Sequence, residues 1–185
     1  ADRALVADPG MTAAHVLLTR IHIFFSMDGE EADAASHMAT ALSHAETALS
    51  LDQRSADACN AHGFALSVLE RTAEAIRSFE RGVALNPNNA SLRSHLAISL
   101  IAPGCERADE AVRHAEAAMR LNPADPFAWT FRFIRDLALT QRGDDFDYEE
   151  SLAEIADIPN IDWKPIILGA VHALKRGDDA RAEEL

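Results

Sequence analysis

Three stretches of this chain have closely similar sequences: ALSLDQRSADA at 48–58, GVALNPNNASL at 82–92 and AMRLNPADPFA at 118–128. Their aligned leucines, Leu51, Leu85 and Leu121, are 34 and then 36 residues apart. A period near 34 written in helix-favouring residues is typical of a helix–turn–helix solenoid. Such repeats bury their apolar faces only by stacking on their neighbours, and the stack presents a concave surface. The sequence therefore predicts an all-α fold, an α-solenoid of antiparallel helix pairs.

Apolar residues recur at intervals of three and four, which predicts a series of helices separated by Asn-Pro and glycine-containing turns. We expect helices over 12–27, 30–51, 55–69, 72–85, 90–101, 108–121, 127–141, 148–156 and 163–175. They group into one solenoid spanning 1–185, with repeats at about 11–53, 54–89, 90–125 and 126–159 and a partial repeat at 160–185. Residues 1–10 resemble a repeat ending, so both ends are expected to interrupt a repeat of a longer protein.

Composition narrows the possible partners and the compartment. The net charge of −13 and the absence of a basic run disfavour nucleic acid as a partner of this segment. No apolar run approaches the ~20 residues that a bilayer requires. Two cysteines are too few for a disulfide framework, and we expect both to stay reduced in the cytoplasm.

No motif of catalysis or cofactor binding occurs. The chain lacks a phosphate-binding loop, a dinucleotide glycine motif and a nucleophile elbow, so we expect no enzyme activity and no cofactor. His15 and His22 are seven residues apart on one predicted helix, and His37 and His44 repeat this spacing on the next. A metal site or a pH sensor is one interpretation. Seven residues of helix span about 10 Å, too far to share one ion, so ordinary helix-face histidines and no metal are predicted.

Specific residues carry a resemblance to a known family. Residues 56–89 contain His62-Gly63 in the first predicted helix, Ala75-x-x-x-Phe79 in the second and Pro87 after it. This pattern resembles the tetratricopeptide repeat, and 90–125 repeats it more loosely. In that pattern small residues lie where helices approach closely and the aromatic residue fills the space between repeats. We therefore expect Phe79 and Leu85 to be buried.

The resemblance implies that the α-solenoid is right-handed and serves as a non-catalytic protein-interaction module. The segment HVLLTRIHIFF, the Asn-Pro endings and a Trp-x-Pro segment (163–165) are also similar to repeat regions of bacterial regulators. In those proteins the repeats follow an adenylate cyclase-like domain or a winged-helix transcriptional regulator domain. The expected role is thus a regulatory module of a larger bacterial protein. The alternative is a sensor that binds a small ligand in the groove and relays its occupancy to an output domain.

The resemblance also implies where a partner binds, because first helices line the concave face of such repeats. We expect a protein or peptide in this groove, and a homodimer through a solenoid end where a helix carrying Ile166, Ile167, Val171 and Leu174 would be incompletely covered. The candidate partner-binding residues are Arg20, Asn60, Phe64, Ser67, Ser94, Ile98, Phe127, Thr130 and Ile134.

Overall fold

The computed structural model describes residues 2–28, 31–125 and 128–144, and this part of the chain consists of α-helices and connecting turns without a strand. The helices are α1 (Asp2–Ala7), α2 (Thr12–Asp28), α3 (Glu31–Leu51), α4 (Ala56–Val68), α5 (Thr72–Leu85), α6 (Ala90–Leu100), α7 (Ala108–Leu121) and α8 (Ala128–Arg142). The all-α prediction is confirmed, and α5 and α7 have the predicted bounds. The helices predicted at 148–156 and 163–175 lie outside the described residues. Within the described ranges, no helix has the length and apolar content needed to cross a membrane.

The chain divides into two compact units, 1–95 and 96–185. In the first unit α2 packs against α3, α4 packs against α5, and α4 also contacts both helices of the preceding pair. In the second unit α7 packs against α8. Successive helix pairs therefore stack within the first unit, as a helical repeat requires. The single stack over 1–185 and its repeat bounds stay predictions.

The recurrent sequence folds into a recurrent turn. Each turn is closed by a backbone hydrogen bond of 3.2–3.3 Å, in which the N–H of the fourth residue donates to the carbonyl of the first. The side-chain oxygen of the first residue also accepts from the N–H two positions on in three turns, at 2.8–3.2 Å. The turns begin at Asp8, Asp52, Asn86 and Asn122. Asp and Asn suit this position because their short side chains can bond to the following backbone.

The turn into the second helix of a pair is also repeated. Glu70 and Glu106 adopt left-handed backbone conformations, with φ of 57° and 49°. The arginine after each glutamate makes two hydrogen bonds to a glutamate three residues on, at 2.8 Å for Arg71–Glu74 and 2.7 Å for Arg107–Glu110. These bonds hold the pKa of both first-turn glutamates below the ordinary value. A Glu-Arg-x-x-Glu sequence therefore marks the start of both α5 and α7.

Phe79 is fully buried, as predicted. A Cβ placed on Gly63 of α4 would lie 2.6 Å from the Phe79 ring, so the ring occupies the space that any larger residue would need. The prediction that Leu85 is buried is wrong, because 36% of its surface is exposed. Leu51, Leu85 and Leu121 are each the last residue of a helix, and a helix end reaches beyond the packed interface.

Alanines make up much of one core cluster in the first unit. Ile23 of α2 packs with Met38, Ala41 and Ala45 of α3 and with Ala65 of α4. Alanine at three of these positions lets the backbones of three helices approach closely, and dense packing then supplies the dispersion contacts. This close packing fixes which faces of α2 and α4 remain exposed.

Candidate partner-binding surface

The side of α2 that faces away from the core carries apolar side chains. Leu17 is 49% exposed and Phe24 is 62% exposed, and the exposed Arg20 lies between them in the sequence. Positions i, i+3 and i+7 share one face of a helix, so the three side chains form a single surface. We call Leu17, Arg20 and Phe24 the α2 surface. The α2 surface combines two apolar side chains with a guanidinium group that can donate up to five hydrogen bonds.

The first helix of the next pair presents an aromatic residue. Phe64 of α4 is half-buried: it packs against the core cluster around Ile23, and its ring also stacks on that of His95 in α6. The two ring centroids are 5.0 Å apart and the planes differ by 9°. Ser67, one turn further along α4, is half-buried, and its hydroxyl donates a hydrogen bond to the carbonyl oxygen of Phe64. Phe64 therefore has both a structural role and a partly accessible ring.

His95 is held neutral by its surroundings. Burial, with a smaller contribution from the positive charge of Arg20, lowers the pKa of His95 to about 4. Its Nδ1–H donates to Asn60 Oδ1 at 2.7 Å, which leaves Nε2 without a proton in the neutral ring. Asn60 is 2% exposed and its amide donates to Ser91 Oγ at 3.5 Å. Asn60 thus connects α4 to α6 and has almost no surface for a partner.

The structure distributes the predicted binding residues over three environments. Arg20 and Ile98 are exposed; Phe64, Ser67 and Thr130 are half-buried; Asn60, Ser94 and Ile134 are buried. Phe127 lies outside the described residues. A buried side chain offers little area to a partner, so the accessible candidates in the first unit are Arg20, Phe64 and Ser67.

Leu17 and Phe24 are not among the candidate contact residues that the sequence predicted. A signal was present in the segment HVLLTRIHIFF, which has apolar residues on more sides than one packing face needs. A surface helix in a soluble protein normally keeps one polar side. Excess apolar residues at 17 and 24 could therefore have indicated an exposed contact surface.

The opposite side of α2 pairs its histidines with those of α3. His15 Nδ1 and His44 Nδ1 are 2.9 Å apart, and His22 Nδ1 and His37 Nδ1 are 3.0 Å apart. The rings of His22 and His44 also stack, with centroids 5.9 Å apart. The four imidazoles thus form a continuous row between the two helices, which we call the histidine row. Spacing within one helix could not reveal these pairs.

In the His15–His44 pair of the histidine row, a neighbouring carbonyl determines which ring nitrogen donates. His15 Nε2 lies 3.1 Å from the carbonyl oxygen of Pro9, which can only accept, so this nitrogen donates. In the neutral ring His15 Nδ1 is then the acceptor, and His44 Nδ1 donates to it. Within the described residues, no three His, Cys, Asp or Glu side chains converge in a group able to hold a metal ion.

Solved structures place the fold among tetratricopeptide repeat proteins. A tetratricopeptide repeat protein from Parabacteroides merdae is 18% identical, with a TM-score of 0.67 over 99% of this chain and 67% of that one. Pseudomonas aeruginosa pilF is 19% identical, with a TM-score of 0.65 over 99% of this chain and 77% of that one.

YrrB, described as a TPR protein with an unusual peptide-binding site, is 21% identical, with a TM-score of 0.59 over 99% of this chain and 87% of that one. No family model matches the chain, and no curated protein matches it. The chain therefore has the fold of an α-solenoid of tetratricopeptide-like helix pairs.

Proposed function

We propose that this chain is a non-catalytic interaction module that binds a peptide segment of a partner protein on the α2 surface. The supporting observation is the pair of exposed apolar side chains, Leu17 and Phe24, on either side of the exposed Arg20. Amphipathic or extended peptides dock apolar side chains on such surfaces and use a few polar groups for orientation. Arg20 would donate hydrogen bonds to peptide carbonyl or carboxylate oxygens.

The adjacent first helix supplies a second part of the proposed surface. The partly accessible Phe64 ring, stacked on the neutral His95, offers a flat face to an apolar or aromatic residue of the guest. A peptide-binding site in the similarly folded YrrB is consistent with this type of guest. The chain has a net charge of −13, which favours a peptide with basic residues. These residues would lie at peptide positions other than the one that contacts Arg20.

Peptide selection on the full chain, followed by affinity measurement on three variants, tests the proposal. We expect Arg20→Glu and Phe24→Ser each to weaken the selected peptides by about tenfold or more, a loss of about 1.4 kcal/mol. Both side chains are exposed, so the fold should be retained. Arg77→Glu is the matched control, because Arg77 is an exposed arginine of the second helix α5. Equal losses in Arg20→Glu and Arg77→Glu would contradict the proposed surface.

The wider context rests on sequence cues alone. We propose a cytoplasmic regulatory module of a bacterial adenylate cyclase-like protein or transcriptional regulator, and the neighbouring gene sequence tests this directly. The alternative is a sensor of a small ligand. It predicts that the chain binds a metabolite and that no peptide binds in the same way. A homodimer through a solenoid end also stays a proposal, and light scattering tests it.

A further inference from the structure

We propose that each of the two cross-helix pairs of the histidine row binds one late first-row transition-metal ion, through the two imidazole nitrogens of that pair and water in the remaining positions. The proposal does not depend on the peptide surface, which lies on the other side of α2. It rests on two cross-helix pairs with the same atoms facing each other, His15 with His44 and His22 with His37. Imidazole nitrogen is a ligand that suits Zn, Cu and Ni ions.

The nitrogen separations indicate the preferred coordination geometry. Two nitrogens 2.9–3.0 Å apart, each bonded at 2.0–2.1 Å, subtend an angle of about 90° at the ion. That angle is the adjacent-ligand angle of a square-planar or tetragonal centre, and it is smaller than the tetrahedral angle of structural zinc sites. Cu(II) and Ni(II) favour tetragonal nitrogen coordination, and Cu(II) has the highest affinity in the divalent series. We therefore expect Cu(II) to bind more tightly than Ni(II) or Zn(II).

The surroundings of His15 match those of a metal ligand. Its Nε2–H donates to the Pro9 carbonyl, which leaves the Nδ1 lone pair directed at the partner ring. Ligating histidines usually donate their other ring N–H to a carbonyl or carboxylate in this way. His44 presents Nδ1–H to His15 in the metal-free pair, so two changes precede coordination by both Nδ1 atoms. The His44 proton must move to Nε2, and both rings must turn so that their lone pairs converge on the ion instead of on each other. This tautomer exchange leaves the number of protons unchanged.

An ion can reach the row from solvent. His15 is 7% exposed, but His22, His37 and His44 are only half-buried. A site with two protein nitrogens requires additional ligands, and water would supply them from the accessible side of these rings. The α4–α5 pair offers a contrast, because His62 there bonds to Ser78 Oγ at 2.8 Å and has no second imidazole opposite it. His62 is therefore a natural control.

The experiment is titration of the tag-free full chain with Cu(II), Ni(II) and Zn(II), followed by calorimetry and electron paramagnetic resonance. The variants are His44→Gln, His37→Gln, the double variant and the control His62→Gln, each checked by circular dichroism. We expect two Cu(II) sites per chain, each coupled to two imidazole nitrogens. Each single variant should lose one site and the double variant both, with affinity at the lost site at least about tenfold weaker. His62→Gln should bind as the unmodified chain does.

Three results would overturn the proposal. One is a copper spectrum of the unmodified chain without imidazole nitrogen coupling, a readout that does not depend on any variant folding. Another is that the variants do not discriminate, either because the unmodified chain and the double variant bind with equal affinity or because His44→Gln and His62→Gln lose affinity equally. The third is that none of the three ions binds and the histidine row responds only to acid. The row would then be a proton-sensitive contact between α2 and α3.

Discussion

At the scale of single residues, one missing methyl group sets the spacing of α4 and α5. Gly63 has no Cβ, and the Phe79 ring fills that space with three atoms within 2.9 Å of where a Cβ would be. Gly82 has the same relation to Leu92, whose nearest atom would lie 2.6 Å from an added Cβ. Glycine inside a helix normally reduces stability relative to alanine by about 1 kcal/mol. Here the packing of a large neighbour offsets that loss.

Gly63→Ala should therefore destabilise the protein, in contrast to the usual gain from replacing a helical glycine. We expect a loss of about 1–3 kcal/mol from overpacking, measured by chemical denaturation. Adding Phe79→Leu to the Gly63→Ala variant should recover part of this loss, because the smaller leucine side chain makes room for the added methyl group. The double-mutant cycle should show coupling of about 0.5–3 kcal/mol. Additive effects would show that the two residues do not compete for space.

His95 should make stability sensitive to mild acid. Its folded-state pKa is lowered to about 4, whereas an unfolded chain has a histidine pKa near the ordinary 6.5. Between these values the unfolded chain binds a proton that the folded chain does not, so stability is full above pH 6.5 and falls as the pH drops toward 4. The expected loss is about 1–3 kcal/mol. Burial also lowers the pKa of His62, which adds to the loss of stability in acid.

Denaturation of the unmodified chain and of His95→Gln across this pH range measures the effect. Glutamine can still donate to Asn60 but does not titrate, so the acid-dependent loss should shrink in the variant. An identical loss in both proteins would assign the acid sensitivity to other groups.

Glu70 occupies a left-handed conformation that favours glycine. We expect Glu70→Gly to be neutral or stabilising by up to about 1 kcal/mol, because the strain of a non-glycine residue at positive φ is removed. Glu70→Val should be destabilising by about 1–2 kcal/mol, since a β-branched residue is strained there. The Glu70 side chain is exposed, so the difference in thermal melting between the two variants reports mainly on the backbone conformation. Greater stability of the valine variant would contradict the φ of 57°.

At the scale of helices and turns, sequence predicted what local chemistry determines. The bounds of α5 and α7 could be predicted because the Asn-Pro pairs at 86 and 122 stop each helix where the backbone must turn. The burial of Phe79 also followed from the repeat pattern. The exposure of Leu85 could not be predicted in this way. A repeated leucine at the end of a helix gives the same sequence pattern as a repeated leucine inside the interface.

The candidate sites depend on contacts that lie far apart in the sequence. Spacing placed His15 and His22 on one helix face, but the pairing with His44 and His37 follows from the antiparallel register of α3 against α2. The exposure of Leu17 likewise depends on which faces α3 and α4 leave uncovered. Register and coverage are tertiary properties, so the histidine row and the α2 surface could not be predicted from periodicity alone.

At the scale of the whole molecule, the question is how far a local disturbance spreads. A solenoid has stability terms only within repeats and between nearest neighbours, so distant repeats can open independently. The two compact units at 1–95 and 96–185 provide natural places to observe this. Ile23 is 1% exposed in the core of the first unit, and Val112 is 6% exposed in α7 of the second.

Ile23→Ala should lower the free energy of unfolding by about 2–5 kcal/mol within the first unit, because it opens a cavity among three helices. Hydrogen exchange should then show lost protection for the amides of α2, α3 and α4, while those of α7 and α8 keep theirs. Val112→Ala is the matched control and should give the reverse pattern. If both variants instead lowered protection equally in all these helices, the chain would unfold as one cooperative body and nearest-neighbour coupling would not describe it. The contrast between the two variants thus measures directly whether stability in this chain is repeat by repeat, as its 34-residue period implies.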